Sequence, residues 1–113
     1  MHELSIAQNI INIVRAEMRR YDAKILKSVR LEIGAMSSVV SDSLSFCFDA
    51  LISDTEFEGA RLIIDIIPLH GICAGCDIEF EIKDYCFKCP FCMGRDITTV
   101  SGRELSIVEM EID

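Results

Sequence analysis

Two cysteine pairs of identical spacing, Cys73-Ala74-Gly75-Cys76 and Cys89-Pro90-Phe91-Cys92, constrain this chain more than any other feature. Two residues between cysteines let a tight turn aim both sulfurs at one point. Two such knuckles, here separated by the stretch from Asp77 to Lys88, supply the tetrahedral four-sulfur set that Zn2+ accepts. With all four positions taken by protein the site is closed, which marks structural zinc, because catalytic zinc keeps one position open. The surrounding sequence has the same need. Residues 70–102 hold five of the six cysteines but only scattered large apolar side chains. A segment this short cannot be held by a hydrophobic core and requires a staple. Gly75 and Gly94 are expected to give the turns their freedom, and Pro90 to stiffen the second knuckle. Cys86-Phe87-Lys88-Cys89 is a competing pair of the same form. Cys-Pro-x-Cys makes the better knuckle, so Cys89 and Cys92 are preferred. Cys86 is then a spare thiol packed under the knuckle, with a swapped ligand or a redox partner as the alternatives.

An even cysteine count would also suit disulfides. The opening residues argue for reduced thiols: there is no basic n-region, and Asn9, Asn12 and Arg15 interrupt any apolar h-region, so no export signal is expected. The expected compartment is the reducing cytoplasm, where clustered cysteines hold metal. At 113 residues, 50% hydrophobic and 27% charged, the chain has the composition of one globular domain or a domain with a small module, not of a disordered segment. No apolar run approaches the length of a membrane span. The net charge is −8, from 11 Lys and Arg against 19 Asp and Glu. Residues 70–102 carry no basic stripe, which excludes a phosphate-neutralising nucleic-acid reader.

The rest of the chain alternates between helical and strand periodicity. Leu4, Ala7, Ile10, Ile11, Val14 and Met18 form the apolar stripe of an amphipathic helix over 4–20. Val29, Leu31 and Ile33 alternate with Ser28, Arg30 and Glu32 in a half-buried strand that ends at Gly34. Ser41 or Asp42 is expected to cap a second helix, whose apolar face is Leu44, Cys47, Phe48, Leu51 and Ile52. Cys47 is expected in the core. The β-branched run 61–67 reads as a strand stopped by Pro68, and 104–112 as a last strand with Val108, Met110 and Ile112 alternating against Glu109 and Glu111. The expected fold is α+β: two helices packed on a three-stranded sheet, formed by residues 1–69 and 103–113, with a zinc-ribbon-like four-cysteine module inserted at 70–102.

The N-terminus carries a second metal signal. In Met1-His2-Glu3 the α-amine, the backbone nitrogen of His2 and its imidazole can form fused chelate rings. A further backbone nitrogen, from Glu3, can close a planar four-nitrogen set, which suits Ni2+ or Cu2+ rather than structural Zn2+. A histidine that falls by chance in a frayed terminus is the ordinary alternative. Glu3 has one too, since an acid in the first turn of a helix is favourable without metal. Its carboxylate could also orient His2. His70, three residues before Cys73, is a surface or hinge histidine or a transient metal ligand.

Met1-His2-Glu3 leading straight into an amphipathic helix resembles the opening of the HypA/HybF family of nickel metallochaperones. Leu31-Glu32-Ile33-Gly34-Ala35-Met36-Ser37 with Val39, Phe46-Cys47-Phe48-Asp49, Glu58-Gly59-Ala60-Arg61-Leu62, both knuckles and the strand-like C-terminal end add to the likeness, which spans the whole chain. The resemblance implies a nickel-binding body with His2 as essential ligand, aided by the Met1 amine and the Glu3 backbone. It implies structural zinc on Cys73, Cys76, Cys89 and Cys92. It further implies delivery of nickel to a [NiFe]-hydrogenase large-subunit precursor, with the GTPase HypB as partner and, for some members, the urease maturation proteins. Cys86 is a departure from the family pattern. No Walker A loop, nucleophile elbow or HExxH sequence is present, so no enzyme is expected. The alternatives are a zinc-ribbon scaffold or regulatory protein without nickel transfer, and a redox enzyme using Cys86 and Cys89.

Overall fold

The computed structural model describes residues 2–113; the expected Met1 amine ligand lies outside the described residues. The element order is α1 (Glu3–Arg20), β1 (Leu26–Gly34), α2 (Ser41–Ile52), β2 (Arg61–Ile67), β3 (His70–Cys73), β4 (Glu79–Glu81), β5 (Ile97–Ser101) and β6 (Leu105–Ile112). The strands form two three-stranded sheets, ordered β2-β1-β6 and β4-β3-β5. The chain divides into two compact units. One takes the described residues up to Glu32 with Ser38–Asp65 and Ser106–Asp113, and the other takes Ile33–Ser37 with Ile66–Leu105.

The first unit is an α+β layer pair built on apolar periodicity. Helix α1 buries Ala7, Ile10, Val14 and Met18, which recur at three and four residues, and it packs against α2. Helix α2 buries Leu44, Phe48 and Ile52. Central strand β1 contributes Val29 and Leu31, exposed by no more than 1%. At that burial each side chain contributes about 1.5–3 kcal/mol of transfer free energy. Three expectations fail locally. Leu4 is 50% exposed although it continues the stripe. Cys47 is half-buried, flanked in the helix by the buried Leu44 and Phe48. Val108 is 48% exposed, whereas Ile107, Met110 and Ile112 of the same strand are half-buried.

The cap of α2 is a further correction. Val40 is the N-cap residue, and neither Ser41 nor Asp42 caps the helix. A carboxylate from elsewhere takes that role. Glu3 accepts the Val40 backbone N–H at 3.4 Å and the Ser43 hydroxyl at 3.5 Å. An anion at the positive end of the helix dipole answers the same need as a local cap.

The second unit is the antiparallel sheet β4-β3-β5. In it His70, Gly71 and Ile72 pair with Glu81, Phe80 and Glu79 on one side, and Cys73 pairs with Ile97 on the other. A backbone crossing at its base leaves no room for a side chain. A Cβ on Gly34 would meet the Gly102 carbonyl at 2.1 Å, and one on Gly102 (φ +110°) would meet the Leu69 Cα at 2.6 Å. The crossing is tied by hydrogen bonds from the Gly34 N–H to Glu104 O at 2.8 Å and from the Met36 N–H to Gly102 O at 2.7 Å.

Candidate metal centre

The knuckles in the second unit share one backbone geometry. The Asp77 N–H donates to Cys73 O at 2.8 Å, and the Met93 N–H donates to Cys89 O at 2.9 Å. Each donor is the residue after the second cysteine of its pair, and each is left-handed: Asp77 at φ 58° and Met93 at φ 67°. The expected turn glycines are therefore misplaced, because the left-handed positions fall on Asp77 and Met93. Gly94 has another task. A Cβ there would sit 3.2 Å from the Cys92 sulfur, so its bare Cα lets the chain pass close to the sulfur cluster.

This geometry brings Cys73, Cys76, Cys89 and Cys92 together, their sulfurs all within 4.8 Å of one another. Cys73 and Cys92 lie 3.5 Å apart, and Cys76 and Cys89 3.6 Å apart. Four thiolates about 2.3 Å from a tetrahedral Zn2+ would stand roughly 3.8 Å from one another, so the set fits structural zinc. Bound there, the ion would cross-link two knuckles and leave no position open for substrate. Cys73 and Cys89 are buried, Cys76 is half-buried and Cys92 is exposed.

The sulfurs differ in acidity. Backbone N–H groups of Cys92, first, and of Phe91 pull the Cys89 thiol down to about 7 against the desolvation that opposes them; both lie 3.4 Å from its sulfur. At Cys76 an Ile78 backbone contact favours the thiolate, but desolvation and the sulfurs of Cys89, Cys73 and Cys92 push the group up to about 12. The knuckle amides thus select Cys89 as the first thiolate, which is the protonation state a metal takes up.

The remaining candidates lie elsewhere. Cys86 is exposed and does not belong to the sulfur cluster. His70, the first residue of β3, has its Nδ1 3.9 Å from Glu79 Oε2 and is also outside the cluster. His2 is exposed at the N-cap of α1, where its carbonyl accepts the Ile6 N–H at 3.2 Å. The Glu3 carboxylate turns to α2 rather than to the imidazole. Periodicity and motif spacing had no means of finding that contact, since Glu3 and Val40 lie far apart in the sequence.

An α+β body joined to a four-cysteine ribbon defines a small metal-binding protein. A family model described as hydrogenase/urease nickel incorporation, metallochaperone, hypA matches residues 1–112. The hydrogenase maturation factor HypA of Geobacter metallireducens is 42% identical over 113 residues, covering all of both chains. That of Geobacter sulfurreducens is 41% identical over 115 residues, again covering both completely. The chain belongs to the HypA family. The fold is that of the solution structure of the Ni metallochaperone HypA from Helicobacter pylori, with a TM-score of 0.66, 18% identity, and coverage of 99% of this chain and 97% of that one. A second HypA solution structure gives a TM-score of 0.73 at 19% identity, covering 99% and 96%.

Proposed function

We propose that this protein is a nickel metallochaperone that binds Ni2+ at its N-terminus and delivers it for insertion into the [NiFe]-hydrogenase large subunit. The observation that carries this is the family match over residues 1–112, which takes in Met1-His2-Glu3. The Met1 amine, the His2 imidazole and the Glu3 backbone nitrogen hold the nickel. Such a set stands at the start of helix α1, so its ligands can be released one after another during handover. In support, the His2 side chain is exposed, and the Glu3 side chain is engaged by α2, which leaves its backbone nitrogen as the chelating atom.

In this proposal Cys73, Cys76, Cys89 and Cys92 bind one structural zinc. Residues 1–69 and 103–113 act as the nickel-binding body and 70–102 as the zinc module. The partners are the HypB GTPase, the hydrogenase large-subunit precursor and, in organisms with urease, its maturation proteins. The protein works in the cytoplasm and is not an enzyme: its cargo leaves chemically unchanged.

Calorimetric nickel titration of protein with a native N-terminus tests the site. His2→Ala should abolish specific nickel binding while fold and zinc content stay unchanged. A residue added before Met1 should do the same, because it converts the amine to an amide. Acid should release nickel, as protons compete for an imidazole and an amine with free pKa values of about 6.5 and about 7.7–8.0. Equal nickel affinity in wild type and His2→Ala would overturn the assignment.

A further inference from the structure

The charge of this acidic chain is unevenly placed. Six of its eleven cations, Arg15, Arg19, Arg20, Lys24, Lys27 and Arg30, fall within residues 15–30, together with only two of its nineteen acids. Part of this excess has a local explanation. Arg19 and Arg20 occupy the last turn of α1, where cations offset the helix dipole. Several of the others are neutralised within the unit. Arg20 pairs with Glu17 at 3.6 Å, Lys27 with Asp113 at 3.7 Å and Arg30 with Asp65 at 2.9 Å.

Two cations remain over. Among the described residues, no carboxylate lies within ion-pair distance of Arg19 or Lys24. Both line a groove of about 300 Å³ beside α1, along with Arg15, Asp22 and Glu56. Met18 and Phe57, also in its lining, are only 5% and 3% exposed, so they form an apolar floor below a charged rim. Arg15 is held in place from two sides, 3.4 Å from Glu56 Oε1 and 5.2 Å over the Phe57 ring.

We infer that this groove docks an acidic segment of a protein partner, carboxylates against Arg19 and Lys24 and an apolar side chain over Met18 and Phe57. The chain's own net charge of −8 repels acidic proteins, so a region of opposite sign is where such a partner can approach. Arg19 stands about 25 Å along the helix axis from His2, at 1.5 Å per residue. A partner held there leaves the start of α1 uncovered for metal transfer. The inference rests on the metallochaperone proposal only for the identity of the partners used to test it.

Binding of purified HypB and of the hydrogenase large-subunit precursor to the full chain should be measured by interferometry at low and at high salt. For at least one partner, Arg19→Glu/Lys24→Glu should weaken binding tenfold or more, and high salt should weaken the wild-type complex likewise. Lys88→Glu, on the other unit, should change affinity less than twofold. Nickel titration and zinc content of the double variant should match wild type, which shows that it folds. Zero-length carbodiimide coupling on wild-type protein should join Lys24 to an Asp or Glu of the same partner. Unchanged binding of both partners by the double variant, an equal loss in Lys88→Glu, or competition for the groove by a DNA oligonucleotide would each overturn the docking assignment. Failure of wild type to bind either partner would overturn the proposed partners, and the groove assignment with them.

Discussion

The two units solve the same problem by different means. The first buries Val14, Leu44, Phe48, Val29 and Leu31 at no more than 1% exposure and is held by apolar packing. The second buries Ile33, Leu69, Ile82, Cys73 and Cys89, too little for a core, and leaves Tyr85, Phe91 and Met93 at 60% exposure or more. A layer of helices and strands holds together without a metal. A ribbon of short strands is organised around its metal. The metals in the proposed function follow this division, with cargo on the self-supporting unit and staple on the other.

The sharpest way to break this contrast is to remove a sulfur. Cys73→Ala or Cys92→Ala should forfeit zinc binding, worth on the order of 10–16 kcal/mol in model zinc peptides. The β4-β3-β5 sheet should then unfold while α1 and α2 persist. Elemental analysis with amide spectra checks both halves, and folded β3–β5 resonances in Cys73→Ala would refute the staple. If Cys86→Ala loses the zinc and Cys92→Ala keeps it, the ligand register is wrong.

The converse change acts on packing. Phe48 is 0% exposed, and Phe48→Ala should cost about 3–5 kcal/mol, read as a shift of the denaturant midpoint, with the zinc-to-protein ratio unchanged. Gly34→Ala should be milder, about 1–3 kcal/mol, since the Gly102 carbonyl must move to admit the new methyl group. Its loss should appear in hydrogen exchange at the Met36 and Gly34 amides, which donate across the crossing.

The smallest effect is a titration. In zinc-stripped protein sampled before the ribbon unfolds, one thiol, Cys89, should ionise near pH 7 and another, Cys76, should stay protonated until about 12, followed by thiolate absorbance. The signs are opposite. Cys89 has a folded value below its unfolded one of about 8.5, so its stabilising contribution is present above that value and is lost as pH falls through about 7. Cys76 is raised, so its contribution is complete below about 8.5 and is lost as pH rises through about 12. Four thiols ionising together near about 8.5 while the β3–β5 amide resonances still report a folded ribbon would show that the knuckle amides do not reach the sulfurs.

Much of this architecture was legible in the residues. The stripe from Ala7 to Met18 and the alternation of Val29, Leu31 and Ile33 are local periodicities, and all the side chains they mark but the half-buried Ile11 are buried. The two knuckles were legible because metal geometry repeats at fixed spacing. What escaped depends on contacts distant in sequence or on backbone angles without a composition signal. Glu3, on the first turn of α1, caps a helix that begins only at Ser41. Asp77 and Met93 adopt left-handed angles that would ordinarily be assigned to glycine, so Gly75 and Gly94 drew the prediction instead. Strands β3 to β5 escaped because each is so short that its alternation does not stand out as a period of two. The groove beside α1 escaped because Phe57 and Lys24 come from loops that periodicity does not place.

The insertion between β2 and β6 has a consequence in polymer terms. Both strands flank β1 in one sheet, so the chain from Pro68 to Glu104 is a loop whose ends are pinned to neighbouring positions. Were those residues a free coil, closing the loop would cost the sheet roughly 3 kcal/mol from the length-dependent part of the chain entropy alone. A metal that gathers Cys73, Cys76, Cys89 and Cys92 short-circuits the chain between Cys73 and Cys92, about halving the free loop and relieving roughly 0.6 kcal/mol of that cost. Zinc would then stabilise a sheet that it does not touch, and its removal should loosen the hold on β6 before any helix melts.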